Sequence, residues 1–222
     1  MIKNRTVQLI YQTVYCTLGL VGCIACLGLF DDFRNIRWDF YTYFTNLSNF
    51  LCLGVMVTAL IQTIRRKEDG FVKALPLLKF IGLLGIALTF CVFNFMLAGA
   101  EGRDPQLNWR IGSICFHVIL PIMYVADWFL FYERKNTTWR YPLASISFPL
   151  GYAIFLLIHA AILGFNTSIL TPTGSVLIYP YFFVNLEKGV PYVLMWIAIL
   201  SVAFVAMGFL FYGLDRLTKK TK

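Results

Sequence analysis

Six apolar runs, each roughly 20 residues long and parted by short polar turns, dominate this chain. They cover approximately 7–30, 40–63, 77–99, 111–132, 145–165 and 190–213. A helix of that length crosses the hydrocarbon core of a bilayer, and only structures that satisfy their own backbone hydrogen bonds are stable there. The runs therefore predict an all-α polytopic membrane protein, a compact bundle of six transmembrane helices. Short connectors make consecutive helices antiparallel neighbours and leave residues 1–222 as one domain. Composition agrees: 59% of residues are hydrophobic and 14% charged, whereas a soluble domain carries about a quarter charged residues.

The net charge of +8 does not describe a nucleic-acid surface, because the basic residues sit between the apolar runs rather than in one patch. Fourteen of the 19 Lys and Arg fall at the termini and in the second and fourth connectors, among them Arg65, Arg66, Lys67 and Arg134. The other connectors hold Arg34, Arg37, Arg103, Arg110 and Lys188. Basic residues favour the cytoplasmic side, so both termini are expected there. The connector 166–189 is then external, with the aromatic stretch Ile178–Val184 expected to anchor in the membrane interface.

Cys16, Cys23, Cys26, Cys52, Cys91 and Cys115 all lie inside apolar runs, so they suggest no disulfide framework. Cys23 and Cys26 have CxxC spacing, but no second pair and no nearby His completes a metal set. Leu20–Cys23 resembles a lipoprotein cleavage site, yet the apolar run continues through Leu29, which favours an intact first helix. No nucleotide-binding loop, serine-hydrolase elbow or zinc-protease motif occurs. No cofactor or metal is expected.

Polar groups inside a bilayer are costly and are functional candidates for that reason. With a rise of about 1.5 Å per residue, Thr45 lies about 8 Å and His117 about 9 Å below the external surface. Asn94 and His159 reach a similar level from the other side. Thr45, Ser48 and Asn49 share one helix face, with Asn46 beside them. Pro121 removes the backbone donor that would bond the His117 carbonyl, which predicts local irregularity beside this histidine. Such polar groups also serve as hydrogen-bonding glue between helices. Asp127, nearer the cytoplasmic end, is expected to pair with Arg134 or Lys135.

Tyr43-Phe44-Thr45-Asn46-Leu47-Ser48-Asn49, then His117-Val118-Ile119-Leu120-Pro121, Tyr141-Pro142 before Gly151-Tyr152, and Tyr179-Pro180-Tyr181 before the last helix follow one another along nearly the whole chain. In that order they resemble the androgen-induced and androgen-dependent membrane hydrolases, and more the prokaryotic relatives than the eukaryotic members. The resemblance implies an intramembrane hydrolase with a threonine nucleophile, at Thr45, and a histidine, at His117. Characterised eukaryotic members cleave fatty acid esters of hydroxy fatty acids.

The expected function is thus lipid-ester hydrolysis near the outer leaflet, on a substrate that arrives from the bilayer. Asn46, Asn49 or Asn94 would donate to the oxyanion, and Ser48 and His159 would help bind the substrate. The competing reading is a non-enzymatic protein that binds or transports a lipid or small molecule in the same polar pocket. A membrane scaffold is a third.

Overall fold

The structure, a computed structural model, describes residues 1–30, 37–99, 105–133, 135–163, 168–171, 174–177 and 179–217. It is a compact bundle of six helices, each long and apolar enough to cross a membrane: α1 (Arg5–Cys26), α2 (Phe44–Arg65), α3 (Pro76–Leu97), α4 (Ile111–Phe131), α5 (Arg140–Ile162) and α6 (Val190–Leu217). The chain is a multi-pass membrane protein. Large apolar side chains such as Ile10, Leu20, Phe95, Ile162 and Val202 point outward from the bundle. Water would penalise that surface, whereas hydrocarbon solvates it.

Helix starts and ends follow local chemistry. Asn4 caps α1 by accepting the Val7 N–H at 3.0 Å. Pro76 opens α3, where its missing N–H is harmless. The second apolar run begins at residue 40, but α2 starts only at Phe44, because Trp38–Thr42 forms a separate 3₁₀ turn. That turn is held by the Thr42 hydroxyl on the Asp39 carbonyl at 2.7 Å and by Asn46 Nδ2 on the Phe40 carbonyl at 2.7 Å. Thr45 consequently stands in the first turn of α2, not well inside the helix.

The core is continuous between α1, α2, α3, α4 and α6, with Tyr15, Met56, Leu84, Tyr124, Trp128 and Phe204 almost fully buried. Small residues allow the close approaches. Any Cβ at Gly22 of α1 would overlap the Phe116 ring of α4.

The termini and the turn after α2 share one end of the bundle. Arg5 donates from Nε to the Thr63 carbonyl at 3.1 Å, and Gly70 N–H donates to the Lys3 carbonyl at 2.9 Å. At the same end the buried Asp215 carboxylate accepts the backbone N–H groups of Lys135 and Thr137. Asp127 does not pair with Lys135, and Arg134 lies outside the described residues. Its partner is Lys79, in the first turn of α3, and both side chains are almost fully buried. Lys79, one of the fourteen basic residues that the charge pattern assigns to the termini and connectors, is drawn into the bundle, where a charge needs an opposite charge at its own depth.

At the opposite end, the segment between α5 and α6 holds a short antiparallel hairpin, β1 (Ser168–Thr171) with β2 (Gly174–Leu177), registered Ser168 with Leu177 and Thr171 with Gly174. The length of apolar runs, which marks the spans, carries no signal for so short a pair. Residues 179–184 then turn inward rather than lying flat in the interface. Tyr179, Phe183 and Val184 are buried, and Tyr181 stacks on Phe183 with centroids 5.0 Å apart. Ile178 lies outside the described residues.

Candidate functional site

Pro121 shapes the site first. In an α-helix its nitrogen would face the His117 carbonyl, and in a wider π-turn the Phe116 carbonyl. α4 contains such a π-turn at Cys115–Ile119, closed by the Leu120 N–H on the Cys115 carbonyl. Both carbonyls that Pro121 leaves without a backbone donor receive a side-chain amide instead. Asn49 Nδ2 donates to the Phe116 carbonyl at 3.1 Å and Asn94 Nδ2 to the His117 carbonyl at 3.1 Å.

Each amide uses its second hydrogen on its own helix. Asn49 bonds the Thr45 carbonyl at 2.9 Å and Asn94 the Phe90 carbonyl at 2.8 Å. Asn49 thereby ties the backbone at Thr45 to the backbone beside His117, across two helices. With all four hydrogens engaged, neither amide is placed to donate to an oxyanion. Both are positioning residues. Replacing Asn94 by leucine removes this side-chain donor from the half-buried His117 carbonyl, so we expect a loss of about 1 kcal/mol, read as a lower unfolding temperature in detergent.

His117 is held on two sides. Nδ1 lies 3.0 Å from the Ser113 carbonyl, which can only accept, and 3.1 Å from the Ser113 hydroxyl. In the neutral imidazole the hydrogen therefore sits on Nδ1, and Nε2 carries the lone pair. The ring stacks on Phe93, with centroids 3.5 Å apart and planes 9° from parallel. Phe93 belongs to a second π-turn, Phe93–Leu97, in α3.

Thr45 and His117, from α2 and α4, line one cavity of about 580 Å³. Asn46 and Ser113 line it with them, and Arg37, Asp39 and Arg110 give it a charged border. Pro180 and Tyr181 form part of its wall, so the inward-turned segment caps the site. A volume of this order suits a small organic ligand.

The Tyr181 phenol is raised above its ordinary pKa by burial, against which the Thr45 hydroxyl and the backbone N–H groups of Thr45 and Phe44 act in the other direction. Its hydroxyl therefore sits at the α2 N-terminus, against Thr45. Burial, with Asp39 next, pushes the Tyr43 phenol up to about 12. Both phenols are neutral donors near neutral pH.

The remaining residues singled out on sequence do not reach this cavity. Ser48 is fully buried against α3, where a Cβ at Gly85 would lie 3.3 Å from its hydroxyl. His159 meets Tyr41 instead, Nε2 to hydroxyl at 3.0 Å, and packs against Phe155. Depth put these side chains in one layer, but their azimuth around each helix separates them. Tyr181 and Phe93 were not foreseen as site residues. The Tyr-Pro-Tyr run within an otherwise polar connector was the one available signal for Tyr181, and Phe93 had none. No family profile, curated protein or solved structure matches this chain.

Proposed function

We propose that the chain is an intramembrane lipid-ester hydrolase in which Thr45 is the nucleophile and His117 the general base. The observation that carries this reading is the single cavity lined by Thr45 and by a histidine whose Nδ1 is pinned by Ser113. A threonine hydroxyl needs a neighbouring base to attack an ester at neutral pH. In the proposed reaction His117 Nε2 takes the Thr45 proton as the threonine oxygen bonds to the ester carbonyl carbon. The protonated imidazole returns that proton to the departing alcohol. Water, deprotonated by the same nitrogen, then adds to the acyl carbon, and the imidazole returns that proton to the Thr45 oxygen as the acid leaves.

The developing oxyanion needs donors that are not already engaged elsewhere. Asn46 lines the cavity with one amide hydrogen on Phe40, and its other amide hydrogen is a candidate donor. The neutral phenol of Tyr181, on the same cavity wall, is a second. The motif resemblance to the androgen-induced and androgen-dependent membrane hydrolases supports the same assignment.

A fluorophosphonate probe tests the nucleophile directly. Mass spectrometry of the purified protein should find the adduct on Thr45, and both Thr45→Ala and His117→Ala should abolish it. An adduct on another residue would remove Thr45 from the mechanism. Binding of a lipid ester with no adduct and no turnover would make the cavity a ligand pocket only.

The proposal includes an orientation. The Lys/Arg distribution supports both termini in the cytoplasm and the cavity at the outer leaflet. In a cysteine-depleted background, cysteine at Glu187 should react with an impermeant thiol reagent in intact cells, and cysteine at Lys67 should not. The opposite pattern would place the cavity at the inner leaflet.

A further inference from the structure

Thr45 borders two hollows. Besides the polar cavity it lines a narrower pocket of about 70 Å³. Phe93, Leu97 and Tyr181 border both spaces, so a ligand that passes Thr45 on one side meets the second hollow on the other. The walls there are apolar: Leu88 and Val92 from α3, Ala153 from α5, Leu200 from α6, with Ser201 the deepest polar group.

The pocket has a direction. Thr45 is in the first turn of α2, whereas Leu200 lies about 15 Å along α6 from its nearer end, and Ala153 about 20 Å along α5 from the far end. The pocket thus runs from the level of Thr45 toward the middle of the bundle, as a lipid tail runs toward the midplane. α5 and α6, which wall it, are the two least buried spans, so hydrocarbon lies directly behind them. Its volume is well below the roughly 300 Å³ of a pocket that encloses a whole small molecule. It fits one end of a linear chain and has no room for a fused ring system.

We propose that this pocket binds the acyl chain of the ester, with the carbonyl carbon at Thr45 and the alcohol portion in the polar cavity. The orientation rests on Thr45 as nucleophile; occupancy of the pocket can be tested without turnover.

The test uses the full-length protein in lipid nanodiscs and a linear fatty acid carrying a mid-chain diazirine. After irradiation the label should map to Ala153, Leu200 or Ser201. Thr45→Ala should leave labelling intact. Ala153→Phe and Leu200→Trp, which fill the pocket from different helices, should each lower it by about tenfold. Unlabelled decanoate should compete and cholesterol should not. Label confined to the lipid-facing Ile154, Ile158 and Val202 and indifferent to both variants would overturn the proposal, as would competition by cholesterol alone. Pocket labelling without ester turnover would sink the nucleophile and leave the acyl site standing. Turnover without pocket labelling would do the reverse.

Discussion

Thr45→Ala and His117→Ala are each expected to lower the proposed lipid-ester hydrolysis by at least about 10³-fold, while the proteins still insert and fold. General-base assistance contributes roughly 10²–10⁴-fold, and loss of the attacking oxygen removes the acyl-enzyme route altogether. Because the two groups act as one unit, the double variant should be scarcely worse than either single one. Thr45→Ser keeps the hydroxyl and retains measurable activity. His159→Gln, which changes a residue outside the cavity, should retain most of it. Steady-state turnover of a purified panel in detergent measures all five. Independent, multiplicative losses at Thr45 and His117 would mean that the pair does not act in concert. Full activity in either alanine variant would end the mechanism.

Removal of one charge from the Lys79–Asp127 pair should be the most damaging change outside the site. Both side chains are almost fully buried, and the polar surroundings are already short of partners: among the described residues, Asp127 Oδ1 and Tyr15 Oη have no hydrogen-bond partner. Lys79→Met leaves the Asp127 carboxylate alone in a low-dielectric interior, at a cost of about 3–5 kcal/mol. Asp127→Leu leaves the ammonium in the same position. The double variant Lys79→Met/Asp127→Leu replaces the pair by apolar groups and should recover most of the loss, because the desolvation penalty vanishes with both charges. Thermal denaturation in detergent gives the comparison. Losses in the single variants that simply add in the double one would show that the two groups do not depend on each other. The ion pair lies toward the end of the bundle that holds the termini, so its loss should lower stability without altering substrate preference in the remaining folded protein.

The spans and the polar layer were legible in the sequence for one reason: hydrocarbon is an uncompromising solvent. It demands about 20 apolar residues per crossing and makes each intramembrane polar group conspicuous. Thr45 and His117 stood out by that rule, and the irregularity next to Pro121 by the missing proline N–H, since position along a helix follows directly from residue number. Azimuth does not. Ser48, Asn49, Asn94 and His159 shared the layer, but only the packing of six helices decided that Ser48 faces Gly85, that His159 meets Tyr41, and that the two asparagines serve carbonyls orphaned by a proline rather than a substrate. The same holds for Asp127, whose partner came from α3 because a buried charge pairs with what the fold brings to its own depth. The cap formed by Tyr181, the stack of Phe93 on His117 and the narrow apolar pocket beyond Thr45 are tertiary facts of this kind. Sequence alone determined which segments are long and apolar enough to cross a bilayer; packing alone determined which side chains meet between them, because the rotation of one helix against the next is set by close-packed contacts with residues distant in the chain.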